Sequence, residues 1–264
     1  MSIETYLPMP LRTGQAQDAV LHTRNKTILA DFASPSLSER AIRWLWYHFA
    51  ILRNAALGHS QPEVVISEQL IENALLLQTV DPSVRKALDF GGFESTVPLA
   101  LATLGVDVTV VDQRRYPFHH ERVHVLQHDI LKPMAALPND FDLVYSISTL
   151  EHVGLGAYGD PRAQAADAVA VRHLWEKVRP GGRLFLSVPV GQPSEQRGYR
   201  VYSPAAVEAL LPVSGDVRYF RKDGRYGVWR ECPAEAVASH RYESYDAEFP
   251  VEGVAVGLVR KATD

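Results

Sequence analysis

A second cysteine, a basic surplus and a long apolar run are all missing from this chain. Cys232 is the only cysteine in 264 residues, which excludes an intramolecular disulfide and a cysteine-based metal cluster. The net charge of −4 provides no global basic field, so nucleic acid is not an expected partner. The most apolar helical stretch, Trp44 to Leu57, is interrupted by His48, Arg53 and Asn54. It falls short of the roughly 18 apolar residues of a membrane span. No basic region followed by an apolar run opens the sequence, so the expectation is a cytoplasmic protein without a secretory signal. Oligomeric state is not legible in the sequence.

What is present is the composition of a folded enzyme-sized chain. Hydrophobic residues make up 46% and charged residues 22%, which supports a substantial core. Residues 1–80 read as an arm and helices forming a cap. Pro8, Pro10, Gly14 and Pro35 mark the arm, and Ile42, Leu45, Trp46, Phe49 and Leu52 recur at helical spacing over Glu39 to Leu57. A further helix is expected over Glu68 to Val80. Residues 81–264 read as the main domain, beginning at the Asp81-Pro82 turn.

From residue 85 strands and helices alternate. Strands are expected at Ala87–Phe90, Val106–Val111, Val123–Gln127, Phe141–Ile147, Arg183–Val188, Asp216–Phe220, Tyr226–Arg230 and Gly253–Arg260. Helices are expected at Pro98–Leu104, from Asp160-Pro161 to about Val178, and at Pro204–Leu211. This is the pattern of an α/β, Rossmann-like, doubly wound and mostly parallel sheet with an N-terminal helical extension. Such sheets bind ligands at the carboxyl ends of their strands. Asp89, Asp112, Asp129 and the segment after Ile147 all fall at such ends.

The first turn, Asp89-Phe90-Gly91-Gly92-Phe93-Glu94-Ser95, decides between ligands. It lacks the Gly-x-Gly-x-x-Gly pattern of a dinucleotide site, and Asp89 and Glu94 would repel a diphosphate. S-adenosylmethionine (SAM) has no phosphate and carries a sulfonium and an ammonium, to which an acid is complementary. Asp112 suits the ribose hydroxyls in either case.

Residues 86–190 resemble a class I SAM-dependent methyltransferase. Leu88-Asp89-Phe90-Gly91-Gly92 is similar to the first motif of that family and Val110-Val111-Asp112 to its ribose motif. His128-Asp129-Ile130 resembles the segment beside adenine, and Phe141-Asp142-Leu143-Val144-Tyr145-Ser146 the fourth-strand motif, followed by Leu150-Glu151-His152-Val153. Val178 to Leu184, with Pro180-Gly181-Gly182, resembles the turn before the fifth strand. The run Val153 to Pro161 resembles a poorly characterised branch linked to bacterial surface-polysaccharide genes. The chain departs from the three alternate glycines of the first motif, because Phe93 and Ser95 stand at the later two positions.

The resemblance implies a role for each residue. Asp89 would orient the methionine ammonium, Gly91 and Gly92 would allow close backbone approach, and Phe93 and Ser95 would lie against the cofactor. Asp112, with Gln113 beside it, would take the ribose. Asp129 would accept from the adenine amino group with Ile130 against the ring, and Ser146 and Ile147 would line the methionine side. Methyl transfer to an alcohol or phenol benefits from a base with a near-neutral pKa, for which His152 is the first candidate and Glu151 the second. Tyr158, Tyr199 and Tyr202 are candidates for the acceptor wall.

His119, His120, His124 and His128 lack the short ligand spacing of a zinc site, and no metal is expected. The basic run Arg218, Arg221, Lys222, Arg225 and Arg230 reads as a solvated hairpin, with a phosphorylated acceptor as the alternative. The expected function is methyl transfer to a small-molecule acceptor, at oxygen, such as a sugar or secondary metabolite. The competing readings are a non-catalytic methyltransferase-like partner subunit and a dinucleotide-dependent oxidoreductase.

Overall fold

The structure, a computed structural model, describes Phe49 and residues 68–93, 95–156, 162–196, 198–222, 228–241 and 252–263. The arm over 1–35 and the helix over 39–57 lie outside the described residues except for the exposed Phe49. The chain divides after Ser67, and everything below concerns the unit from Glu68 onward.

That unit begins with helix α1 (Glu68–Gln78) and strand β1 (Lys86–Phe90). Helix α2 (Val97–Thr103), β2 (Asp107–Asp112), β3 (Val123–Gln127) and β4 (Phe141–Ile147) follow. After a 3₁₀ turn at Leu150–His152 come helix α3 (Ala166–Lys177) and strand β5 (Val178–Pro189). The remainder is β6 (Ser194–Gln196), β7 (Tyr199–Val201), α4 (Pro204–Leu210), β8 (Asp216–Lys222), β9 (Trp229–Cys232), α5 (Ala234–Ala238) and β10 (Gly253–Arg260).

Eight of these strands form one sheet in the order β3-β2-β1-β4-β5-β10-β8-β9. The first five in that order are parallel neighbours, whereas β10 runs antiparallel to both β5 and β8. The strand order reverses between β1 and β4, so the crevice of a doubly wound sheet opens there. The α/β, Rossmann-like expectation therefore holds. The central parallel strands read as largely apolar runs because they are covered by the flanking helices, whereas β3 at the sheet edge is partly exposed. Leu88, Val111, Leu143, Val144 and Leu184 are all fully buried. Each contributes about 1.5–3 kcal/mol by leaving water.

Three local departures from the expected elements have physical causes. Helix α3 starts at Ala166 rather than at Asp160-Pro161. Ala165 adopts a left-handed φ of 53°, and the Ala163 N–H is drawn to the Gly154 carbonyl at 2.9 Å, so residues 162–165 do not wind into the helix. Arg179 to Gly182 does not break the chain but lies inside β5, as an irregularity opposite Phe141 and Leu143 of β4. Helix α1 turns Glu72 inward beside Leu75 and Leu76 and leaves Leu70 and Leu77 exposed. An acid faces the core among these leucines.

Candidate active site

The crevice is built from the strand ends. Phe90 of β1 pairs with Val111 on one side and Ser146 on the other, and Ile147 pairs with Ser187 of β5. Parallel register therefore places Asp89, Asp112, Ser146 and Ile147 along one edge. Asp129 follows β3 on the same edge, where the His128 N–H donates to the Asp112 carbonyl at 2.9 Å.

Asp89 is 2% exposed and sits opposite Tyr145 in register. Burial raises the Tyr145 and Tyr116 hydroxyls above the ordinary tyrosine pKa, and the Asp89 charge pushes both further in that direction. These two tyrosines were not singled out from the sequence. Tyr145 was quoted only as part of an apolar strand, and Tyr116 reaches the turn from beyond β2, donating to the Ser95 carbonyl at 2.8 Å.

The two glycines serve the protein's own packing. Gly91 has φ +81°, and a Cβ there would overlap the Thr149 side chain. A Cβ on Gly92 would overlap the Asp89 carboxylate, which folds back over its own turn. The space beside both glycines is thus filled by protein atoms, and this is the reason the structure gives for glycine at these two positions. Phe93 is buried, and the Arg114 guanidinium lies over its ring at 4.0 Å. Ser95 turns its hydroxyl to the Val97 N–H at 3.2 Å, at the start of α2.

Asp112 is held from both sides. Its Oδ2 accepts from the Phe93 N–H at 3.2 Å, and its Oδ1 accepts from the Arg114 N–H at 2.8 Å and from Arg114 Nε at 3.2 Å. The Gln113 carbonyl accepts from Gln127 Nε2 at 2.7 Å. Asp129 Oδ1 accepts from the Leu131 N–H at 3.0 Å, the capped turn of an acid after a strand. The Ile130 side chain is enclosed in the core with Leu88, Phe90, Val111 and Met134. Ser146 is fully buried, and its hydroxyl has no hydrogen-bond partner among the described residues.

Beyond β4 the chain turns through Ser148, a non-glycine residue at φ 42°, into the 3₁₀ turn that carries Glu151 and His152. His152 Nδ1 lies 2.8 Å from the Gly198 carbonyl, and its ring packs on Tyr199 at 5.6 Å. A carbonyl only accepts, so Nδ1 carries the proton and Nε2 is the basic nitrogen of the neutral ring. Glu151 is 2% exposed, with Oε1 3.9 Å from His152 Nε2. Burial, reinforced by the charges of Glu72 and Glu68, holds its carboxyl well above the usual carboxylate range. Glu72 of α1, also missed in the sequence, is fully buried and pushed up to about 8 by the same loss of water and by Glu68. Its Oε1 accepts from the Ser148 hydroxyl at 2.6 Å.

Other candidates lie elsewhere. Tyr202 donates to Asp167 at 2.9 Å within an ion pair of Asp167 and Arg200, and Tyr158 lies outside the described residues. Arg218 forms a two-pronged pair with Glu231 at 2.9 and 2.7 Å, Arg221 donates to the Ala236 carbonyl and Lys222 is buried at 5.5 Å from the Trp229 ring. These cations serve the β8–β9 hairpin at the sheet edge remote from β1. His120 Nδ1 accepts from the Arg122 N–H at 3.1 Å and His128 Nε2 lies 3.2 Å from the Lys132 carbonyl. No helix among the described residues is long and apolar enough to cross a membrane.

The chain is similar over parts of its length to known proteins. A family model described as "Caenorhabditis protein of unknown function, DUF268" matches residues 102–217. The ubiquinone biosynthesis O-methyltransferase of Pseudomonas aeruginosa is 30% identical over 162 residues, covering 57% of this chain and 65% of that protein. Its counterpart from Stutzerimonas stutzeri is 26% identical over 179 residues, covering 62% and 72%. Among solved structures, the 1,6-didemethyltoxoflavin-N1-methyltransferase of Burkholderia thailandensis superposes with a TM-score of 0.50 at 17% identity, covering 89% of this chain and 93% of that one. This last likeness speaks to the fold. The chain is thus similar over part of its length to O-methyltransferases and shares the Rossmann-like fold of a methyltransferase of known structure.

Proposed function

We propose that this chain is a SAM-dependent methyltransferase that acts on a small-molecule acceptor through an oxygen nucleophile. The observation that carries the reading is the convergence of Asp89, Asp112, Asp129 and Ser146 on one strand edge at the switch point, with His152 just beyond it. The donor set fits SAM better than a dinucleotide. Three carboxylates suit an ammonium, a ribose and an amino group, and none suits a pyrophosphate. The Ser146 hydroxyl adds a buried polar atom that has no partner among the described residues.

When bound, SAM supplies an electrophilic methyl on a sulfonium, open to in-line attack. Asp89 would hold the methionine ammonium and Asp112 the ribose hydroxyls, with Gln113 beside it. Asp112 Oδ2 keeps a lone pair beyond the bond it accepts from the Phe93 N–H, whereas Oδ1 already accepts two bonds from Arg114. Asp129 would accept from the adenine amino group, while Ser146 and Ile147 face the methionine side. Phe93, pinned by Arg114, closes the cofactor side in place of the missing glycine. His152 takes the acceptor proton on Nε2, since Nδ1 is committed to Gly198. The enclosed Glu151 supports His152 rather than meeting the acceptor. The O-methyltransferase names of the sequence relatives favour oxygen.

The test is transfer of a labelled methyl from SAM to a panel of phenols, catechols, sugars and amines. Labelling of a hydroxyl acceptor that depends on His152 supports the reading. Labelling of amines alone, insensitive to His152→Ala, contradicts it.

A further inference from the structure

Glu72 stands 76 residues before Ser148 in sequence, yet the two side chains share a 2.6 Å hydrogen bond. Ser148 needs a partner because of its backbone. A φ of 42° is a left-handed conformation that a serine adopts only under constraint. Two bonds supply the constraint: the Ser148 N–H donates to the Ser187 carbonyl at 3.2 Å, and the Ser148 hydroxyl donates to Glu72. The next residue, Thr149, fills the space beside Gly91, and its carbonyl accepts the His152 N–H at 3.0 Å. The turn that Glu72 holds is therefore the turn from which Glu151 and His152 project.

We infer that Glu72 is a positioning residue: through Ser148 it fixes the left-handed turn after β4 and so sets the orientation and tautomer of His152. Among the described residues no lysine or arginine meets Glu72, and burial of an unpaired carboxyl is costly, so its retention inside α1 is explained by this hydrogen bond rather than by stability. Among the described residues, the groups that face it are Glu68 on its own helix, Glu151 on the 3₁₀ turn, Ser148 after β4 and Ser187 on β5.

The experiment uses the full chain with changes at both ends of the bond. Glu72→Gln keeps an acceptor oxygen for Ser148, Glu72→Leu removes it at similar volume, and Ser148→Ala removes the donor. Imidazole ¹⁵N NMR of the protein without added ligand reads His152, assigned by its loss in His152→Ala. Wild type and Glu72→Gln should show a single tautomer protonated on Nδ1, whereas Glu72→Leu and Ser148→Ala should show averaged tautomers. This arm is independent of any activity. The kinetic arm rests on the methyltransferase reading. In it, Glu72→Leu and Ser148→Ala each lower kcat about 10–100-fold while SAM affinity stays within about threefold. The double variant should be no worse than either single one, because both break the same bond. A wild-type His152 tautomer in folded Glu72→Leu or Ser148→Ala overturns the proposal, and so do additive losses in kcat. If Glu72→Leu does not fold, Ser148→Ala decides alone. If wild type does not bind SAM, the functional reading falls and the NMR result still decides this one.

Discussion

After β1 the chain turns on Gly91 and Gly92, with the Asp89 carboxylate folded over Gly92; after β4 it turns on Ser148, held from Glu72 and Ser187. The two turns face each other across the switch point and meet where Thr149 fills the space beside Gly91. The first is made of consecutive residues whose types dictate the bend. The second is made of an ordinary serine whose conformation is imposed by groups distant in sequence. One turn thus carries its instructions locally, and the other receives them from the assembled fold.

Substituting on each side of this contrast should separate cofactor binding from chemistry. The largest effect is expected at His152: His152→Ala lowers kcat about 100- to 10,000-fold, with SAM affinity within about threefold, in steady-state kinetics and calorimetry. Equal losses in kcat and SAM affinity would instead assign His152 to the cofactor side. On the β1–β2 side, Asp112→Ala should weaken SAM binding about 10–100-fold, since it removes charge-assisted bonds worth about 1.5–3 kcal/mol and frees Phe93 and Arg114.

Gly91→Ala should lower stability by about 1–3 kcal/mol in denaturant unfolding, because its Cβ meets Thr149 at a positive φ. Trimming Thr149 should recover part of the loss, which would show that the two turns lean on each other.

How legible were these features in the sequence? Strand ends and acids were readable because a five-strand apolar pattern with Asp89 and Asp112 at its edges has one economical fold. The strands at Val123–Gln127, Phe141–Ile147 and Gly253–Arg260 match the expected spans. Glu72 was not readable, because a helical stretch rich in leucine hides which face turns inward until a partner such as Ser148 is in place. The β6–β7 hairpin that brings Gly198 to His152 was equally hidden, since Ser194–Gln196 and Tyr199–Val201 are too short to carry a period. Ile130, expected against a ligand, is instead enclosed because an isoleucine after a strand packs as readily inward as outward.

Protonation offers a smaller test of the same contrast. Glu72 has a folded-state pKa of about 8 against an ordinary value of 4.5. Between those values the folded chain keeps a proton that the unfolded chain has lost. Its contribution to stability is therefore fully present below pH 4.5 and is lost as pH rises through about 8. Glu151, raised by burial, acts in the same direction. Glu72→Gln should flatten that part of a plot of unfolding free energy against pH. The smallest effect belongs to the remote edge: Arg218→Ala should cost less than about 1 kcal/mol and leave SAM affinity unchanged, because its pair with Glu231 is largely exposed.

The central claim is that the edge bearing Asp89 and Asp112 is a SAM site. Isothermal titration of the full chain with S-adenosylhomocysteine, and separately with NAD, tests it most directly. The account predicts saturable one-site binding of S-adenosylhomocysteine that Asp112→Ala weakens, and no heat with NAD. Binding of NAD, or a folded protein that takes up no S-adenosylhomocysteine, would contradict it.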